Sequence, residues 1–172
     1  RLYEELVRRY PQSRLIRRAE SRLSQLREGL RTGAEPLIQF QRIIRATAEG
    51  SAERIAQLSA LLREQPQFAL ADQMLYLLGS AQLRAGQSAA AAASFGALWS
   101  RFPGSEWAAY GHKAQADALI GQGRCEAARV HLRALGDRRG TVWVRAAEEG
   151  LQQCSVLERR RFRRVGGSSE LE

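Results

Sequence analysis

The sequence predicts an all-α solenoid: about nine antiparallel helices stacked as successive hairpins, with a C-terminal capping helix. Three observations predict it. Alanine and leucine are abundant, β-branched runs are scarce, and only four prolines interrupt 172 residues, so helix is the favoured local state. Apolar residues recur three, four and seven positions apart, the spacing that shares one helix face. A pattern also repeats at fixed distance: Gly79, Gly86, Ala91, Phe95 and Pro103 return 37 positions later as Ala116, Gly123, Ala128, Leu132 and Gly140. Such self-similarity marks an array whose units bury their faces on one another.

The elements follow in order. The first helix runs to about Arg9 and stops at Tyr10-Pro11, because proline disfavours helix in the residue before it. The second starts after Ser13, an N-cap residue type, and carries Leu15, Ile16, Ala19, Leu23 and Leu26 before Gly29. A third spans Pro36 to Ala48, with proline in the first turn where its missing N–H is harmless; Leu37, Phe40, Ile43 and Ile44 form its stripe. Ser51 caps the fourth, which carries Ile55, Leu58, Leu61 and Leu62 and ends before Pro66. The fifth and sixth cover 67–85 and 88–102, the seventh and eighth 105–122 and 124–136. The ninth runs from Thr141 to about Leu157 and is expected to bury Val142, Val144, Ala147 and Leu151.

Small residues on the first helix of a hairpin let the second approach closely, and Phe95 or Leu132 then fills the groove between them. A second echo near the start pairs YEELVRRYPQS (3–13) with FGALWSRFPGS (95–105), matching Leu6 with Leu98, Arg9 with Arg101, Pro11 with Pro103 and Ser13 with Ser105. These residues resemble the tetratricopeptide repeat, most closely over 72–105, less so over 109–140 and in part over 3–30. Leu75 and His112 stand where that family usually has an aromatic. The resemblance implies a right-handed superhelical array whose first helices line a concave groove for peptide segments. Carried over by aligning Ala116 with Gly79, that groove would present Gln73, Tyr76, Ser80 and Arg84, then Tyr110, Lys113 and Asp117; Leu83 and Ile120 share the face but are expected to pack against a neighbouring helix. The phrases RRYPQSRLIRRA and SRFPGSEWAAYGHKAQA further resemble a bacterial cell-envelope subset, of the Tol–Pal coordinator and outer-membrane assembly lipoprotein type. That likeness implies a periplasmic scaffold.

The expected organisation is one array over 1–165, with an irregular insertion at about 30–50, best repeats at 67–103 and 105–140, and a cap at 141–157. The tail 166–172, GGSSELE, reads as flexible linker outside the fold. The chain opens at Arg1 without methionine, which points to a fragment or a processed form. No stretch of 18 apolar residues exists, the length a membrane helix needs. The formal charge of +9 is carried by arginine with a single lysine, Lys113. It is concentrated at the ends: Arg14, Arg17, Arg18 and Arg22 at one, Arg159, Arg160, Arg161, Arg163 and Arg164 at the other. Such clusters suit anionic lipid, nucleic acid or acidic partners, and equally a solvated helix face.

Cys125 opens the eighth helix and Cys154 lies late in the ninth, so equal arms of about 20 Å return them to one level of the hairpin. They are either a disulfide that staples the cap, which implies an oxidising compartment, or two separately buried thiols. His112 and His131 flank the turn at Gly121–Gly123, with Asp117 and Glu126 between them. A packing or solvated role is expected for both histidines, and no metal or cofactor. No phosphate-cradling glycine loop, HExxH, CxxC or GxSxG is present, so no catalytic residues are assigned. The expected function is a non-enzymatic scaffold binding peptide segments of cell-envelope proteins in the periplasm, with an exposed end face able to pair two copies. The competing expectation is an adaptor on the cytoplasmic face of the inner membrane, whose basic C-terminal segment binds anionic lipid or nucleic acid.

Overall fold

A computed structural model describes residues 2–13, 15–31, 33–137 and 141–166. Arg14, Gly140 and the tail from 167 onward lie outside the described residues, as do the side chains of Arg163 and Arg164. The described residues form nine helices and no strand: α1 (Leu2–Arg9), α2 (Ile16–Arg31), α3 (Glu35–Ala46), α4 (Ala52–Glu64), α5 (Ala71–Arg84), α6 (Ser88–Arg101), α7 (Glu106–Gly121), α8 (Cys125–Gly136) and α9 (Thr141–Gly166). Hairpins α3–α4, α5–α6 and α7–α8 stack in sequence, and α9 packs along α8 and α7. The chain is a tetratricopeptide-like α-solenoid, as its periodicity predicts.

Local chemistry fixes the boundaries. The serine of the second aromatic-Pro-x-Ser phrase caps the following helix, the Trp107 amide donating to Ser105 Oγ at 3.0 Å, whereas Ser13 accepts from the Leu15 amide at 3.3 Å in the turn before α2. Ser105 in turn donates to Asp72 Oδ2 at 2.6 Å, tying the start of α7 to α5. Ser51 accepts from the Arg54 amide at 3.1 Å. The glycines that recur in the pattern end the first helix of each hairpin. Gly86 and Gly123 have φ of 74° and 70°, the left-handed conformation that costs glycine least. The next amides, of Gln87 and Arg124, close back onto Gln82 and Leu119 carbonyls at 2.8 and 2.9 Å. Both turns are thus the same C-terminal capping motif.

The main core lies between α3 and α7, with Phe40, Leu58, Leu70, Met74, Phe95 and Leu98 at its centre. Fully burying each such side chain contributes about 1.5–3 kcal/mol. Phe95 fills the α5–α7 groove. A Cβ at Gly79 would stand 2.6 Å from its ring, and one at Gly111 would stand 3.2 Å away on α7. A second core joins Ala116, Ala128 and Leu132 to Cys154 of α9. There a Cβ at Gly150 would meet Leu132 at 2.5 Å.

Several expectations are corrected. Residues 67–70 are turns rather than helix, and α5 begins at Ala71; Phe68 and Leu70 are buried from that turn. α9 continues through the arginine run to Gly166 instead of ending near Leu157. Its inner stripe is Trp143, Ala147, Gly150 and Cys154, while Val142 is 71% exposed and Val144 37%. Residue 142 cannot share a face with 147 and 151, because a helix turns about 100° per residue, whereas 144, three and seven positions before them, lies at the exposed edge of their stripe. Leu15 is likewise exposed, at 60%.

The segment at 30–50 contains α3, which contributes Phe40 and Ile43 to the main core. Buried Arg54 of α4 clamps it: Nε donates to Thr47 Oγ1 at 3.0 Å, and Nη2 to the Ile44 carbonyl at 2.9 Å and to the Thr47 carbonyl. A guanidinium on the last carbonyls of α3 also complements the negative end of the helix dipole.

Candidate functional site

The first helices of the two regular hairpins, α5 and α7, turn one face away from their partners, and aromatic rings gather there. Tyr76 of α5 meets Trp107 and Tyr110 of α7 at centroid distances of 5.1 and 5.9 Å; Trp107 and Tyr110 are 5.6 Å apart. Trp143 of α9 continues the row, edge-on to Tyr110 at 4.9 Å. Trp107 and Tyr110 share the α7 face through their three-residue spacing, and α9 brings Trp143 across because it packs on α7. Edge and offset contacts at these distances are favourable and hold the rings rigid. Tyr110 remains 41% exposed in the middle of the row. The result is a firm apolar platform that can bury a partner's side chains at small entropic cost.

The polar residues assigned to this face are mostly engaged within the chain. Gln73 accepts from Arg22 of α2 at 2.8 Å. Arg84 pairs with Glu49 at 3.0 Å, and Lys113 with Asp117 one turn on at 2.6 Å. These two pairs are largely exposed, so each contributes little and exchanges readily with a partner's charges. The Ser80 hydroxyl is buried and finds no acceptor among the described residues. Leu83 packs against the main core and Ile120 is buried, as expected of both.

The α1–α2 hairpin does not join the stack. It leans over the aromatic face through Arg22 and buried Ala19, leaving a cavity of about 510 Å³ between itself and α5–α7. Tyr3, Leu6, Tyr76, Trp107 and Tyr110 form its apolar walls, with Arg18 and Glu106 beside them. Sequence reasoning missed Trp107, Trp143 and Arg22. The 107/110 spacing was a readable signal; the contributions of Trp143 and Arg22 depend on how α9 and α2 dock.

Behind this face, Trp99 of α6 stacks on His112 with centroids 4.3 Å apart and planes 4° apart, and lies 4.8 Å from His131. The histidine Nδ1 atoms are 3.2 Å apart. Burial holds His131 below the usual histidine range, favouring neutral imidazole. At the far end of the array, Cys125 and Cys154 form a disulfide, Cα atoms 5.4 Å apart, that fastens α9 to α8. Arg159, Arg160 and Arg161 are exposed on α9. A wide cleft of about 1110 Å³ is lined by Arg124, Arg160 and Arg161 and by Glu126 and Glu158; both carboxylates pair with Arg129.

With the hairpin, the packed glycine and the aromatic first-helix face in place, the family comparison is decisive for one unit. Residues 73–105 are a tetratricopeptide repeat. That repeat comprises α5 from its first turn, all of α6, and the Ser105 cap of the next helix. Tetratricopeptide repeats mediate protein–protein interaction and are typically non-enzymatic scaffolds. No curated protein and no solved structure matches the chain.

Proposed function

We propose that this protein is a non-enzymatic scaffold that grips peptide segments of partner proteins on the Tyr76–Trp107–Tyr110–Trp143 face. The single observation carrying this reading is the aromatic row on the first-helix face of a tetratricopeptide repeat, facing the cavity beneath α1–α2. Aromatic anchors with exchangeable polar neighbours are what peptide interfaces use for affinity and register. The partners belong, on this reading, to a bacterial cell envelope, and the array works in the periplasm. A buried disulfide between Cys125 and Cys154 supports that compartment, because such bonds persist where the medium is oxidising. The reading extends to pairing of two copies through an end face.

The second reading, a membrane-associated adaptor, draws on one observation: α9 stays helical through Arg159, Arg160 and Arg161 and exposes all three. Anionic lipid or nucleic acid would then bind with steep salt dependence.

One experiment separates the readings. Binding to an array of extended peptides is measured for the wild type, Tyr110→Ala with Trp143→Ala, and a variant with Arg159, Arg160 and Arg161 changed to Gln. The scaffold reading expects more than about tenfold weaker peptide binding in the aromatic variant and little change in the arginine variant. Binding that ignores Tyr110 and Trp143 but vanishes with the arginines, and falls sharply with salt, overturns it.

A further inference from the structure

The chain has two histidines in 172 residues, and folding brings them together. His112 lies on α7 and His131 on α8, and their Nδ1 atoms approach to 3.2 Å. Trp99 of α6 braces the pair, stacked on His112 and tilted against His131. Two arrangements satisfy facing imidazole nitrogens: one Nδ1–H donates to the other's lone pair, or both lone pairs address a shared electrophile. At 3.2 Å the separation fits both. Two nitrogens bonded to one ion at roughly 2.0–2.1 Å stand about 3.3–3.4 Å apart in tetrahedral geometry, and about 2.8–3.0 Å apart as neighbours in an octahedron. The observed distance lies between these.

We propose that His112 and His131 form a two-imidazole site for a borderline transition-metal ion, Zn²⁺, Ni²⁺ or Cu²⁺, bound through both Nδ1 atoms. Imidazole nitrogen selects these ions, whereas Mg²⁺ and Ca²⁺ require oxygen donors. On binding, the ring that carried its proton on Nδ1 carries it on Nε2 instead, exchanged through solvent. A neutral pair therefore takes up the ion with no net release of protons. Among the described residues no third histidine, cysteine, aspartate or glutamate joins the two. The remaining coordination positions fall to water or to a donor from a bound partner, which makes the site open and exchangeable rather than a closed structural one. Both cysteines are held in the disulfide, so thiolate does not compete for the ion.

The test uses tag-free full chain, freed of metal by chelator and titrated at pH 7.5 with ZnCl₂ by calorimetry and with CuCl₂ by tryptophan fluorescence. The expected result is saturable binding of one ion per chain, more than about tenfold weaker in His112→Gln and in His131→Gln. Cu²⁺ should quench fluorescence chiefly through Trp99, so Trp99→Phe removes most of the quenching while Trp107→Phe and Trp143→Phe leave it. Helical circular dichroism of each variant in EDTA checks that the array is intact. If one glutamine variant unfolds, the wild-type thermal midpoint decides: Zn²⁺ must raise it and Mg²⁺ must not. No saturable binding, binding unchanged in a folded glutamine variant, or an equal response to Mg²⁺ overturns the proposal and leaves the histidines a hydrogen-bonded packing pair.

Discussion

Gly79→Ala pits two known effects against each other. In an open helix the change stabilises by about 1 kcal/mol, because glycine is the poorer helix former. At Gly79 the added methyl would stand 2.6, 2.9 and 2.9 Å from three ring carbons of Phe95. Ordinary carbon contacts lie near 3.5–4.0 Å, so ring or helix must retreat by about 1 Å. The ring has little room to retreat: Phe95 is fully buried, and a Cβ at Gly111 of α7 would also stand only 3.2 Å from it. Overpacking of this kind costs about 1–3 kcal/mol. With the three contacts on a rigid ring, the upper part of that range applies, and the net expectation is a loss of about 1–2 kcal/mol. For a chain of this size that lowers the thermal midpoint by roughly 2–8 °C.

Urea unfolding followed by helical circular dichroism measures the change, with an unaltered m-value as the sign that only stability moved. Gly96 on α6 is the control. A Cβ there meets nothing within 4 Å, so Gly96→Ala should stabilise by about 0.5–1 kcal/mol. In a Phe95→Leu background, Gly79→Ala should lose its penalty, giving a coupling of at least about 1 kcal/mol. A Gly79→Ala protein more stable than the wild type, or no coupling to Phe95, would refute the close approach on which the hairpin packing rests.

Two further expectations follow from the structure. Cys154→Ser should destabilise by about 3–4 kcal/mol in the chain-entropy account of a loop of 29 residues, read as a lower urea midpoint than the oxidised wild type. A difference within error would mean that packing alone seats α9. Arg54→Met keeps the side-chain stem but removes the donors to Thr47 and Ile44; a loss of about 2–3 kcal/mol is expected from hydrogen bonds to a charged group. Hydrogen exchange should locate that loss at the α3–α4 corner, and an effect spread evenly along the array would count against the clamp.

The hairpin pattern was legible because its causes are local. Serine caps, a left-handed glycine after each first helix, and a small residue opposite a large one are set within one or two turns of chain. Gly79 and Phe95 therefore announce themselves at sixteen residues' separation. The aromatic face was legible only in part. Tyr76 and Tyr110 could be assigned to one side by repeat alignment, whereas the engagement of Gln73, Arg84 and Lys113 depends on side chains from elsewhere in the chain or one turn away. The α9 stripe was misread because four apolar residues near its start offer two overlapping faces, and only docking against α7 and α8 selects Trp143 over its two valine neighbours.

By itself, then, the amino-acid order determined helices, turns and the stacking unit, since those depend on hydrogen bonds and contacts a few residues apart. Tertiary structure alone decided that α1–α2 leans over the aromatic row instead of extending the stack, that Trp143 completes that row, and that the two histidines meet under Trp99. Each of these depends on the angle at which one hairpin settles on another. That angle is set by the summed shapes of buried side chains from several helices, a quantity no short stretch of sequence contains.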